Sequence, residues 1–126
     1  MEDKIKEALL YKRIVEWNEK TITLEDGTTL QVECLEFDCC AGGYGKWDKV
    51  KLDAVITDVE LADVENPEHE DTYITTGIIK IYHNRNIIAQ NEMYTDAGNG
   101  GYYGSVTGLV VTLPDESQLE GFTIRA

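Results

Sequence analysis

Thr21-Ile22-Thr23-Leu24-Glu25-Asp26-Gly27-Thr28-Thr29-Leu30-Gln31-Val32-Glu33-Cys34-Leu35-Glu36-Phe37 is the stretch that decides the fold class. On both sides of Asp26-Gly27 polar and apolar residues alternate, the period of a strand with one face on a core. Asp-Gly suits the positive backbone dihedrals of a tight turn, so the stretch predicts a β-hairpin. Its alternation sets Leu30, Val32, Cys34 and Glu36 on one face and Gln31, Glu33, Leu35 and Phe37 on the other. One of those faces must meet the core.

Outward from this hairpin the chain reads mostly as further strands. Residues 13–17, Arg13-Ile14-Val15-Glu16-Trp17, read as a strand, and residues 54–64 alternate so that Val55, Val59 and Leu61 point inward with carboxylates outward. Residues 73–83 and 87–95 are β-branched and aromatic, and Asn84-Arg85-Asn86 joins them as a turn. Residues 106–113 make another strand, interrupted by Gly108, where a bulge or a close backbone approach is expected. Pro114-Asp115 opens a polar tail that ends in Phe122-Thr123-Ile124. At the N-terminus, Ile5, Ala8 and Leu9 recur at helical spacing behind acids in the first turn, which predicts a helix over 2–10. The expected fold is mainly β: an antiparallel curled sheet or sandwich of about seven strands with one short N-terminal helix. Residues 1–126 are read as a single domain, since the length matches the commonest domain size.

Charge narrows the function classes. The chain carries 24 Asp and Glu against 11 Lys and Arg, a net charge of −13. Residues 52–126 hold thirteen of the acids and only three of the bases, so the second part carries most of the field. That field repels nucleic-acid phosphates and excludes direct nucleic-acid binding. It suits a basic protein groove, although an acidic surface also serves solubility alone. No apolar run approaches the ~20 residues of a membrane-spanning helix, and Met1-Glu2-Asp3-Lys4 does not resemble the start of a signal peptide. Cytoplasmic location with three reduced cysteines is the expectation.

Two glycine-aromatic segments, 38–47 and 96–104, each follow a strand-like run. Glycine lets backbones approach closely and aromatic rings supply flat contact area, so the pair reads as a binding lip. The candidate ligand-binding residues are Tyr44, Lys46, Trp47, Arg85, Asn99, Tyr102 and Tyr103. An outward tyrosine from Tyr102-Tyr103 would flank a planar ligand with Trp47 or Tyr44, while Arg85 or Lys46 met an anionic group. The competing reading makes Gly100 to Gly104 a turn with core tyrosines. Other chemistry falls away. Adjacent Cys39 and Cys40 do not easily point both thiolates at one metal, so Cys34, Cys39, Cys40, His69 and His83 are not read as a zinc site. Seven carboxylates between Asp58 and Asp71 lack calcium-loop spacing and read as a solvated face. Gly98-Asn99-Gly100-Gly101 lacks the Gly-Lys-Ser/Thr of a phosphate loop. No catalytic residue, metal or cofactor is expected.

Several elements together carry a resemblance: Arg13-Ile14-Val15, the 21–30 hairpin, Asp38-Cys39-Cys40, Ile56-Thr57-Asp58-Val59-Glu60 and Gly100-Gly101-Tyr102-Tyr103-Gly104. From about residue 9 to 113 the chain resembles a family of small tailed-phage and prophage proteins of unknown function. The Cys-Cys pair and the Gly-Tyr-Tyr-Gly element are the more specific parts. A longer glycine insertion after Cys40 and the long 78–88 hairpin depart from the family pattern. The resemblance implies an accessory factor that counters host defences, and it carries no catalytic residues over. Two expectations follow for a non-enzymatic protein. The first is a sponge that sequesters a small nucleotide-derived immune signal, acting as a homo-oligomer. The second is an acidic interaction protein that occupies the basic surface of a host defence nuclease or nucleic-acid-binding complex. An enzyme using a cysteine or carboxylates ranks last.

Overall fold

A computed structural model describes residues 2–37, 41–66, 72–99 and 104–126, and for Thr72, Tyr73, Gly98 and Asn99 it describes the backbone only. Among the described residues there are one helix and nine strands. Helix α1 spans Glu2–Leu9, followed by β1 (Ile14–Trp17), β2 (Thr21–Leu24), β3 (Thr29–Phe37), β4 (Gly42–Asp48) and β5 (Asp58–Glu65). The chain continues through β6 (Thr72–His83), β7 (Asn86–Asn99), β8 (Ser105–Thr112) and β9 (Gln118–Arg125). They form two antiparallel sheets, β1-β2-β3-β8-β9 and β4-β7-β6-β5, which pack face to face without closing into a barrel. No helix among the described residues is long and apolar enough to cross a membrane.

The deciding hairpin forms in the expected place. Thr21 pairs with Gln31 and Thr23 with Thr29, and Gly27 takes φ 95° in the turn, where Thr28 N donates to Asp26 Oδ1 at 3.0 Å. Leu30 is fully buried and Val32 packs against the core, so their face is the inner one. Opposite them, the second sheet contributes Trp47, Val59, Ile79, Ile81, Ile88 and Met93 to the same core. Each fully buried Ile or Leu stabilises the fold by roughly 1.5–3 kcal/mol, far more than any exposed ion pair. Apolar burial between the sheets therefore holds the molecule together. Helix α1 buries Ile5 and Leu9 into this core and packs over β9, with Lys6 3.4 Å from Asp58 at the start of β5.

Two strands were not anticipated, and one was displaced. The glycine-rich run Gly42–Asp48 is β4, paired with β7 along its whole length, and the expected polar tail becomes β9. The 54–64 strand begins only at Asp58. Residues 54–56 instead run antiparallel along the edge of β1 and the helix exit, with Ile14 N donating to Ala54 O and Tyr11 N to Ile56 O. Ile56, not Val55, is the buried residue there, because the backbone of 54–56 pairs with β1 and the helix exit and joins β6 only at Thr57, whose N donates to Tyr82 O. Gly108 marks the expected irregularity: the β8–β9 register shifts between Thr107 and Leu109.

Candidate functional site

Strand parity in β4 decides which side chains reach the surface. Trp47 is 1% exposed and its Nε1–H donates to Leu30 O at 3.2 Å, so Gly43 and Gly45 also face the interior. Tyr44 and Lys46 face out. The inward glycines serve packing: a Cβ at Gly43 would overlap the Thr107 hydroxyl, and one at Gly45 would overlap the Asn91 carboxamide. Beneath them Thr107 Oγ1 donates to Thr95 Oγ1 at 3.1 Å, and Ser105 Oγ donates to Asp96 O at 2.6 Å. The glycines thus let β4 and β7 settle onto β3 and β8. They do not themselves form a lip.

The β4–β7 register sets the first glycine-aromatic segment against β7 and reaches only Asp96 of the second, whose residues 100–103 lie outside the described residues. Gly42 pairs with Asp96, Gly43 with Thr95 and Tyr44 with Tyr94. Directly paired residues share a face, and the Tyr44 and Tyr94 rings meet with centroids 5.3 Å apart and planes 31° apart. Tyr44 is 59% exposed, while Tyr94 is half-buried. Burial pushes the Tyr94 hydroxyl up, and the charge and hydrogen bond of Asp96 push it further. It stays neutral well into alkaline solution.

From this pair a groove of about 580 Å³ runs across the outer face of the second sheet, lined by Tyr44, Tyr94, Thr76, Ile78, Asp63, Glu65 and Glu92. Its far wall is shaped by a break in β5, where pairing shifts between Ala62 and Glu65 and Asp63 takes φ 53°. The break turns Asp63 onto Lys80, 3.1 Å away. Glu65 and Glu92 make no ion pair among the described residues. Among the described residues, Asp48, Asp58, Glu60, Asp63, Glu65, Glu92 and Asp96 share this face with two lysines of the sheet, Lys46 and Lys80, while Lys6 reaches Asp58 from α1. Further along, Tyr82 donates its hydroxyl to Glu60, which pushes that phenol up to about 12. The face is a cation-attracting surface with an aromatic end.

The expected site residues separate on this frame. Tyr44 lines the groove, and Lys46 lies next to it in an adjoining depression that shares Tyr44 and Glu92 with the groove. Trp47 is a core residue, since the parity that exposes Tyr44 buries it, and its ring faces no ligand. Arg85 sits in the β6–β7 turn, eight strand residues or about 27 Å from the level of Tyr94, and does not join them. Asn99 ends β7 with its backbone opposite Thr72, and its side chain lies outside the described residues, as do Tyr102 and Tyr103 entirely. Cys39, Cys40 and His69 lie outside them too, while Cys34 is free and His83 Nδ1–H donates to Val55 O at 2.9 Å. Tyr94, Glu92, Glu65 and Ile78 were missed. Once 42–48 is read as a strand, Tyr94 becomes findable as the aromatic opposite Tyr44; the β5 contribution does not, because it depends on the break at Asp63.

Comparison with known proteins gives a family without an activity. A family model described as a domain of unknown function, DUF7448, matches residues 7–109. No curated protein and no solved structure matches the chain.

Proposed function

The chain belongs to the DUF7448 family, and we propose that it acts as a non-enzymatic acidic interaction protein that occupies a basic surface on its partner. The observation that carries this reading is the outer face of the second sheet, where a row of carboxylates, with Glu65 and Glu92 in no ion pair among the described residues, borders the Tyr44–Tyr94 pair. A chain of net charge −13 steers toward cationic surfaces at long range, and such a face gives the encounter a place to dock. Basic surfaces of this kind ordinarily hold nucleic acid. The resemblance to tailed-phage proteins makes a host defence nuclease or nucleic-acid-binding complex the fitting partner. Sequestration of a nucleotide-derived signal is the second reading. The Tyr44–Tyr94 pair favours it as a stacking platform, but the lysines of this face are poorly placed to meet phosphate, Lys46 standing opposite Glu92 and Lys80 held by Asp63.

Charge reversal of the ligand separates the two. Titration with a poly-lysine peptide should give binding that weakens steeply with salt. Replacing Glu65 and Glu92 by Gln should weaken it about tenfold, the worth of two exposed charge pairs, while Gln at Glu33 and Glu120 on the opposite sheet changes little. Lys46→Gln should tighten poly-lysine binding. Thermal shift by a panel of cyclic and ADP-ribose-derived nucleotides, abolished by Lys46→Gln, would instead establish the sponge.

A further inference from the structure

We propose that the Tyr44–Tyr94 pair is an anchor for an arginine side chain of the partner, with the guanidinium lying on the Tyr44 ring and reaching the carboxylate of Glu92 or Glu65. This inference rests on the acidic-surface reading and names the group that reading would select. A diffuse acidic face attracts lysine and arginine alike, since point charges in water differ little. The tyrosine end is different. The tilt between the rings leaves Tyr44 with an open face, and 59% of that residue is exposed although it is held from one side by Tyr94. A planar delocalised cation stacks on such a ring and is weakly hydrated, whereas an ammonium group keeps its water.

The carboxylates stand where a stacked guanidinium has donors left over. Glu92 shares the outer face of β7 with Tyr94, two residues away, and Glu65 lines the same groove from β5. Neither is engaged by a lysine or arginine among the described residues, unlike Asp63, which Lys80 neutralises. A guanidinium can present two parallel N–H groups to one of them while its plane remains on the ring. The aliphatic stem of the arginine then covers Ile78 and Thr76 on the groove floor. Lys46, across the register from Glu92, bounds the anchor on the other side and repels a second cation there.

The test compares hexa-arginine with hexa-lysine, equal in length and charge, by fluorescence anisotropy over a salt series. Wild-type protein should bind hexa-arginine about fivefold more tightly, the worth of one exposed cation–π contact. Tyr44→Ala should bring the two peptides within about twofold of each other and leave the salt slope unchanged, and Tyr44→Phe should keep the preference. Arginine δ-methylene protons should move upfield on binding to wild type and not to Tyr44→Ala. Equal affinity for the two peptides in wild type, or a preference that survives Tyr44→Ala, overturns the anchor while the acidic-surface reading stands. Failure of both peptides to bind at low salt removes both.

Discussion

Asp26 shows how one residue of the deciding hairpin ties the fold to pH. Partial burial raises its carboxyl, but the ion pair with Lys12 Nζ at 2.5 Å and the hydrogen bond from Thr28 N outweigh this and hold it at about 2. An unfolded aspartate titrates near 3.8. The depressed folded value means that the interaction contributes fully above about pH 4 and is lost as pH falls through 2. The side chain is 33% exposed, so screening cuts the contribution to about 1 kcal/mol. Asp26→Asn should therefore be about 1 kcal/mol less stable than wild type at pH 7 by urea denaturation. The gap should close as the pH is lowered toward 2; a gap that persists there would assign the loss to turn geometry instead.

At the scale of elements, β4 is where composition and structure disagree most. Three glycines in seven residues argue against a strand on propensity, yet β4 pairs with β7 over all seven. Tertiary packing overrides the local preference: Gly43 and Gly45 are what allow Thr107, Asn91 and Val32 to come so close. Gly45→Ala should accordingly destabilise by about 1–3 kcal/mol as an overpacked site. The loss should shrink in an Asn91→Ala background, because the Asn91 carboxamide is the group displaced and its atoms have no protein hydrogen-bond partner among the described residues. Additive losses in that double-mutant cycle would point to backbone strain in β4. The same contrast explains what was legible. Alternation around Asp26-Gly27 pointed to one hairpin and the β-branched and aromatic runs flanking Asn84-Arg85-Asn86 to another, helix spacing pointed to Ile5 and Leu9, and Tyr44 and Lys46 were picked out by type. Trp47 was misplaced because its parity exists only once β4 is a strand. Gln118–Arg125 looked like a tail because it opens with the polar, exposed Gln118 and Glu120 on either side of Leu119, and the burial of Phe122 and Ile124 depends on the bulge opposite Gly108.

Over the whole molecule the same charge that suits a basic partner works against the fold. Among the described residues three ion pairs form, Lys6–Asp58, Lys12–Asp26 and Lys80–Asp63, while the chain carries 24 acids and 11 bases. Most carboxylates thus repel one another across the surface, most densely on β5 and the facing strands. Salt screens repulsion between exposed charges more than a Debye length apart, about 30 Å at 0.01 M and 8 Å at 0.15 M. Core burial, which supplies most of the stability, is not weakened by such screening. Raising sodium chloride from about 10 to 150 mM should then raise the melting temperature by several degrees, since about 1 kcal/mol corresponds to roughly 3–6 °C for a domain of this size. Binding to a basic peptide should fall over the same range. The two trends have opposite sign because screening relieves repulsion within the molecule and attraction between molecules alike. Neutralising the outer face with Glu65→Gln and Glu92→Gln should reproduce both at low salt, with a higher melting temperature and weaker binding. A melting temperature that fell with salt would mean that attractive pairs dominate, and the acidic face would then be a structural network with little charge left over for a partner.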